Sequence, residues 1–172
     1  MLGSYQLQPL RPSDCTAVRE VYADAIESQG KDLYTEEQIQ AWVSLAWLPG
    51  VLDSPLAEGS GWISLEEQNV AAFAVRYPCD RLALLYCRGR SIRRGHASLL
   101  LDHLEQEAFE EGHTKLVTEA SLLSYPLLSR RGWDFIATEK IEIGGVNFER
   151  YRMEKTLRKN IQGFLNSKFD FQ

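Results

Sequence analysis

Apolar residues recur along the chain with two periods, and the switches between them outline its elements. Tyr5-Gln6-Leu7-Gln8-Pro9-Leu10 alternates polar and apolar, a first strand whose Pro9 suits a sheet edge. Arg11-Pro12-Ser13-Asp14 reads as a helix start with Ser13 or Asp14 as N-cap. Val18, Val21, Tyr22, Ala25 and Ile26 then repeat at i, i+3, i+4, i+7 and i+8, one stripe of a helix that stops near Gly30. Thr35-Glu36-Glu37-Gln38 fits a capping box, and Ile39, Trp42, Val43 and Ala46 make the stripe of a second helix, ended by Pro49-Gly50. Residues 49–60, rich in Pro, Gly and Ser, read as a loop within one domain. Two strands follow, Trp62 to Glu66 and Val70 to Tyr77, joined by a turn at Gln68-Asn69. Val70 to Val75 is apolar throughout, so that strand should be covered on both faces.

A third strand of this meander, Leu82 to Cys87, leads through a basic loop into the most strongly patterned helix. Ala97, Leu100, Leu101, Leu104 and Ala108 form its stripe, and Gly112 closes it. Lys115 to Ala120 is a further strand, predicted to lie parallel to Leu82–Cys87 through a right-handed crossover. Ser121 to Arg131 reads as a short helix stopped by Gly132, with Pro126 in its first turn or two. Trp133 to Ile143 and Asn147 to Leu157 form a terminal hairpin around Gly144-Gly145. The predicted order is β-α-α-β-β-β-α-β-α-β-β, an α/β mixed sheet with helices on both faces. Residues 1–157 make one domain; the tail, residues 158–172, carries Phe164, Leu165, Phe169 and Phe171 to pack on the domain or on a second subunit of a homodimer.

Composition narrows this picture. At 172 residues the chain suits one core, and 44% hydrophobic with 25% charged residues is the make-up of a soluble globular domain. The net charge of -5 argues against nucleic acid as the main partner, since phosphate neutralisation needs a basic face. No stretch reaches the length of a membrane span and no leader pattern opens the chain, so a cytoplasmic location is expected. Cys15, Cys79 and Cys87 have no metal-type spacing, and His96, His103 and His113 form no i, i+4 pair, so no metal site is expected.

Against the acidic balance, Arg88, Arg90, Arg93 and Arg94 fall within seven residues of one loop. A strand that feeds a basic, glycine-containing loop at a helix N-terminus suits a phosphate, because the first-turn N–H groups have no intrahelical acceptor and the helix dipole adds positive potential. Gly95 and Ala97 keep the approach to those amides clear. Neither a Gly-x-x-x-x-Gly-Lys-Ser/Thr loop nor a dinucleotide fingerprint is present.

The element order and the segment Ile92-Arg93-Arg94-Gly95-His96-Ala97 resemble the GNAT superfamily of acyl-CoA-dependent N-acetyltransferases, whose loop reads Gln/Arg-x-x-Gly-x-Gly/Ala. Ile92 departs from the usual first residue. Three segments resemble the YafP-like subgroup: Tyr34 to Trp42, Arg93 to Ser98, and Glu119-Ala120-Ser121. The resemblance implies a GNAT-like acyl-CoA N-acyltransferase fold, with acetyl-CoA or coenzyme A as cosubstrate and a small-molecule primary amine as acceptor. It puts the pantetheine arm against the strand backbone at Leu85, Tyr86 and Cys87. The pyrophosphate falls on the amides of Arg93, Arg94, Gly95, His96, Ala97 and Ser98, with the arginines near a further phosphate.

In most members a tyrosine in Tyr-x-x-x-Gly-Phe protonates the departing thiolate. This chain has Leu128-Ser129-Arg130-Arg131-Gly132-Trp133 there, and Leu128 has no proton to donate. Helical spacing offers Ser124 and Tyr125, four and three residues earlier, and Tyr125 has the more suitable pKa of the two for a substitute catalytic acid. Asp80, Glu66 and Glu119 are carboxylates near strand ends with nothing in sequence to single one out as a base. Tyr34 and Trp42 are candidates to line the acceptor pocket. The alternative that Leu128 raises is a non-catalytic acyl-CoA-binding sensor or partner subunit.

Overall fold

The structure is a computed structural model that describes residues 5–159. Its elements, in chain order, are β1 (Gln6–Pro9), α1 (Cys15–Gln29), α2 (Glu36–Ser44), α3 (Asp53–Glu58), β2 (Ser60–Glu66), β3 (Asn69–Arg76), β4 (Leu82–Cys87), α4 (His96–Glu110), β5 (Lys115–Ala120), α5 (Tyr125–Arg130), β6 (Asp134–Ile143) and β7 (Val146–Thr156). Eleven of the twelve have counterparts in the sequence reading. The predicted stripe of α1 is buried in full, and the box at α2 is formed on both sides: Thr35 Oγ1 accepts the Gln38 N–H at 3.2 Å, and Gln38 Oε1 accepts the Thr35 N–H at 2.9 Å. Gly144 and Gly145, at φ 57° and 82°, supply the left-handed turn between β6 and β7.

Several expectations change. α3 interrupts the segment read as loop, anchored where Asp53 accepts the Gly50 N–H at 2.7 Å and pairs with Arg19 at 2.6 Å. α2 ends at Ser44, before Pro49-Gly50 is reached. Asp14 does not cap α1 with its side chain; it accepts the Arg11 N–H at 2.8 Å and closes a 3-10 turn over Pro12–Asp14. The turn after β2 is Glu67-Gln68, both left-handed, one residue earlier than predicted. α5 begins at Tyr125, because Ser121–Ser124 folds into a turn in which Ser121 Oγ accepts the N–H groups of Leu123 and Ser124. The tail beyond residue 159 lies outside the described residues.

The sheet is split. One half is antiparallel in the order β1-β2-β3-β4, the other antiparallel in the order β5-β7-β6. β4 and β5 start side by side in the predicted parallel sense, but only through one bridge, Arg81 with Val117. Val117 N–H donates to the Asp80 carbonyl at 3.0 Å and Thr118 Oγ1 to the Leu82 carbonyl at 2.7 Å. Beyond that point the two strands part.

β3 is buried from Val70 to Arg76, as its unbroken apolar run requires, with α1 and α3 on one face and α4 on the other. Leu100, Leu101 and Leu104 of α4 join Leu116, Leu128 and Met153 in the second core, so α4 ties the two half-sheets together. At the end of β3, Arg76 is buried with its guanidinium on α4: Nη2 donates to Glu107 at 2.8 Å and to Glu111 at 2.9 Å, and Nη1 to the Cys79 carbonyl. Glu107 also accepts from Ser60 Oγ at 2.6 Å and Trp62 Nε1 at 3.1 Å.

Candidate functional site

Where β4 and β5 part, a cleft of about 890 Å³ opens between the half-sheets. β4 pairs with β3 through Leu85–Ala74, Tyr86–Phe73 and Cys87–Ala72, while its other edge faces the gap without a partner strand. Alternate residues of a strand direct N–H and C=O to opposite sides, so part of this edge can bond an extended ligand. Leu85, Tyr86 and Cys87 all line the cleft. The Cys87 carbonyl already accepts from Gln29 Nε2 of α1 at 2.8 Å. Burial pushes the Cys87 thiol up to about 11, with Glu66 and Asp24 adding to it, so at neutral pH it is an uncharged wall residue.

At the foot of the cleft the chain turns into α4 through two left-handed residues, Arg93 at φ 59° and Gly95 at φ 92°. Gly95 is the N-cap and has no side chain to satisfy the amides behind it; the first ladder bond runs from Leu99 N–H to the Gly95 carbonyl at 3.0 Å. The first-turn amides of His96, Ala97 and Ser98 therefore lack the acceptor that a Ser or Asp cap would supply. The four arginines divide, and Arg90 is exposed and does not line the cleft. Arg88 donates to the Val70 carbonyl at 2.9 Å and stands near Glu20. Arg94 is tied to Glu66, and its carbonyl accepts from the Tyr5 hydroxyl. Glu66 is held below the usual carboxylate range by hydrogen bonding from Ser91, with Arg94 helping against a burial effect. Arg93 lines the cleft, exposed and without an ion pair among the described residues. One arginine, not the whole cluster, is placed to meet an anion in the cleft.

His96 does more than offer its amide. Its ring is buried, edge-on to Tyr5 at 5.0 Å, with Nδ1 2.7 Å from Ser64 Oγ, and so pins the first turn of α4 to β2. Burial lowers its pKa, against the pull of Glu66, so it is neutral at pH 7.

Leu128 lines the cleft from α5 and is 1% exposed, packed into the second core. Its carbonyl accepts the Trp133 N–H at 3.0 Å around Gly132 at φ 84°, which closes α5 and fixes Leu128 facing inward. Tyr125 points elsewhere: it is not among the cleft-lining residues, and its ring packs on Tyr151 at 4.8 Å. One helical turn separates the two positions, and the helix face decides between them.

Across the cleft stands an aromatic wall. Tyr34 and Trp42, 5.3 Å apart, both line it, with Phe148 of β7 completing the cluster. Tyr34 Oη accepts the Leu122 N–H at 2.9 Å. Tyr22 and Tyr86 lie 4.5 Å apart; Tyr22 reads in sequence as a plain stripe residue, and Tyr86 is a candidate there only for its strand backbone. Burial pushes Tyr22 up to about 12 and Tyr86 well above its ordinary value. Of the carboxylates considered as bases, Glu119 reaches the cleft but is paired with Arg81 at 2.7 Å, and Glu66 and Asp80 do not line it. Among the described residues no group of His, Cys, Asp and Glu is arranged to hold a metal, and no helix is long and apolar enough to cross a membrane.

Two half-sheets that share one bridge and then diverge, with a left-handed loop and an uncapped helix at the base of the gap, make up the fold of the GNAT acetyltransferases, and the chain has that fold. The comparisons agree. A crystal structure of a GCN5-related N-acetyltransferase from Rhodopseudomonas palustris superposes with a TM-score of 0.84 at 26% identity, covering 88% of this chain and 95% of that one. The N-acetyltransferase YafP of Escherichia coli (strain K12) is 23% identical over 155 residues, 88% of this chain and 96% of YafP. The structure of YncA from Salmonella typhimurium, which holds acetyl-CoA, has the same fold at a TM-score of 0.61 and 18% identity, covering 91% of this chain and 96% of that one. No family model matches the chain. Its relatives are acetyltransferases, which supports an enzyme of that class.

Proposed function

We propose that the protein transfers an acetyl group from acetyl-CoA to a primary amine of a small molecule, by direct attack within a ternary complex. The observation that carries this reading is the unpaired edge of β4 next to the uncapped first turn of α4, both opening on one cleft. An extended amide-bearing arm fits the edge at Leu85 and Tyr86. A pyrophosphate fits the amides of Gly95 to Ser98, with Arg93 as the nearby cation. A backbone N–H of β4 would polarise the thioester carbonyl, and alignment of amine and thioester in the cleft contributes much of the rate, up to about 7–11 kcal/mol in well-oriented cases. The amine enters from the aromatic wall of Tyr34, Trp42 and Phe148, where Asp32 and Glu149 also line the cleft.

Two measurements test this. Acetyl-CoA at a hundred times its Kd should raise the melting temperature by about 5–10 °C, and ATP should leave it unchanged. Thiol release with a panel of primary amines should exceed the amine-free rate for at least one member. Leu128 favours a second reading, a non-catalytic acyl-CoA sensor. Stabilisation by acetyl-CoA with no turnover across the panel would select it.

A further inference from the structure

Acetyl transfer needs a proton for the departing thiolate, and Leu128 has none to give. The hydroxyls that line the cleft can be sorted by where their protons go. Thr118 donates to the Leu82 carbonyl at 2.7 Å, Ser91 to Glu66 at 2.5 Å, and Ser28 to the Asp24 carbonyl at 2.6 Å. Tyr22 and Tyr86 hydrogen-bond to one another and to Trp42. Ser98, Ser121 and Ser124 also line the cleft, and Ser124 Oγ donates to the Ser121 carbonyl at 3.4 Å. Tyr34 is the cleft-lining tyrosine held by a backbone donor: its Oη accepts from Leu122 N–H at 2.9 Å and hydrogen-bonds with Ser121.

Its placement is equally specific. Leu122 follows the end of β5 by two residues, so that bond carries the phenol to the open end of the gap between β4 and β5. The ring is wedged against Trp42 and Phe148, and Trp42 in turn lies 6.4 Å from Tyr86 on β4. Tyr34 is thus fixed from three elements, with its hydroxyl two residues beyond the end of β5, where it lines the cleft.

We infer that Tyr34, delivered from the α1–α2 connection, is the catalytic acid of this chain, in the role for which Leu128 is unfit. The inference rests on the acetyltransferase reading. The amine nitrogen bonds to the acetyl carbon, the carbon–sulfur bond breaks, and its electron pair leaves on sulfur. Tyr34 Oη passes its proton to that sulfur, giving the free thiol of CoA. The phenolate recovers a proton from the acylated nitrogen, which must lose one to become a neutral amide. Two features of the site suit both halves of this exchange. Burial raises the Tyr34 pKa and keeps it protonated at rest, while the Leu122 N–H, aimed at Oη, steadies the phenolate once formed.

Tyr34→Phe keeps the ring and its packing and removes the proton. The variant should lose about 100-fold in kcat, the lower end of what general acids contribute, with an unchanged KM for acetyl-CoA and an unchanged melting shift on binding it. A contact with sulfur is read separately by labelling tyrosine at Cζ. The Tyr34 resonance should move on adding CoA and stay in place on adding desulpho-CoA, whether or not an acceptor amine has been found. A kcat within threefold of the parent, a Tyr34 resonance blind to the sulfur, or a large loss in Tyr125→Phe instead would overturn the assignment. Absence of turnover in the parent would refute the acetyltransferase reading, and the resonance would still decide whether Tyr34 meets the sulfur.

Discussion

Arg76→Met is expected to lower the melting temperature by about 6–12 °C at neutral pH, the consequence of a loss near 3 kcal/mol. Arg76 is 1% exposed at the end of a strand that is otherwise apolar, and its charge is compensated by Glu107 and Glu111 on α4. Removing one partner of a buried pair costs about 3–5 kcal/mol, because the other charge is left uncompensated. The lower end applies, since Glu111 is 46% exposed and keeps its water. Methionine fills most of the volume, so the loss reads the charge and its hydrogen bonds more than a cavity. The effect has a pH signature. Burial alone would raise the Glu107 pKa, but hydrogen bonds from Arg76, Ser60 and Trp62 outweigh it, and the net shift is downward. A carboxylate depressed in the folded state contributes stability that is fully present above its unfolded pKa, about 4.3, and is lost as pH falls through the folded value. Melts of parent and variant at pH 7 and pH 3.5 should therefore converge on the acid side. Equal gaps at both pH values would show that the pair contributes nothing through the charge of Glu107.

Arg76 also marks the limit of what the chain discloses before it folds. A charged residue closing an apolar strand reads as the end of that strand, and nothing local shows that two glutamates 31 and 35 residues later will meet it. The same limit explains the other differences. α3 spans six residues, too few for a helical period to register, and it is held by Arg19, 34 residues away. Helical spacing placed Ala97 in the stripe of α4, yet the buried first-turn residue is His96, drawn in by Ser64 across the core. The separation of β4 and β5 depends on strand pairing over more than thirty residues, so periodicity predicts the parallel sense and not the single bridge.

What is local was legible. The Thr35 box, the α1 stripe and the Gly144-Gly145 turn each carry their determinants within a few residues, and each forms as read. The placement of Tyr125 was the intermediate case. Spacing along α5 made Tyr125 a neighbour of Leu128, but three residues leave the two side chains roughly 60° apart around the helix. That is enough to turn one side chain to the cleft and the other to Tyr151. Tyr34 reaches Leu122 from 88 residues away, which no local pattern could indicate.

Gly95→Glu is expected to weaken acetyl-CoA binding by more than about 100-fold while the fold persists. Two effects of the substitution have to be separated. At φ 92° any side chain is strained, by about 1–2 kcal/mol, which lowers the melting temperature by about 2–8 °C. Space is not the obstacle, since a Cβ here would meet only the Tyr5 hydroxyl oxygen at 3.5 Å and its ring carbon at 3.8 Å. The second effect is electrostatic: a carboxylate at the N-cap competes for the amides of α4 and sets a negative charge against the pyrophosphate, and like-charge juxtaposition costs several kcal/mol. Gly95→Gln carries the same strain without the charge, and should bind within about tenfold of the parent, since strain without charge is worth about one factor of ten. Calorimetric titration of the three proteins with acetyl-CoA gives the difference directly. If the Glu variant binds within threefold of the Gln variant, the charge meets no phosphate, and the left-handed loop holds some other part of its ligand. If the Gln variant alone loses binding as severely as the Glu variant, the loop acts through its backbone conformation. A separation of tenfold or more between them places the pyrophosphate on the amides that the cap of α4 leaves unpaired.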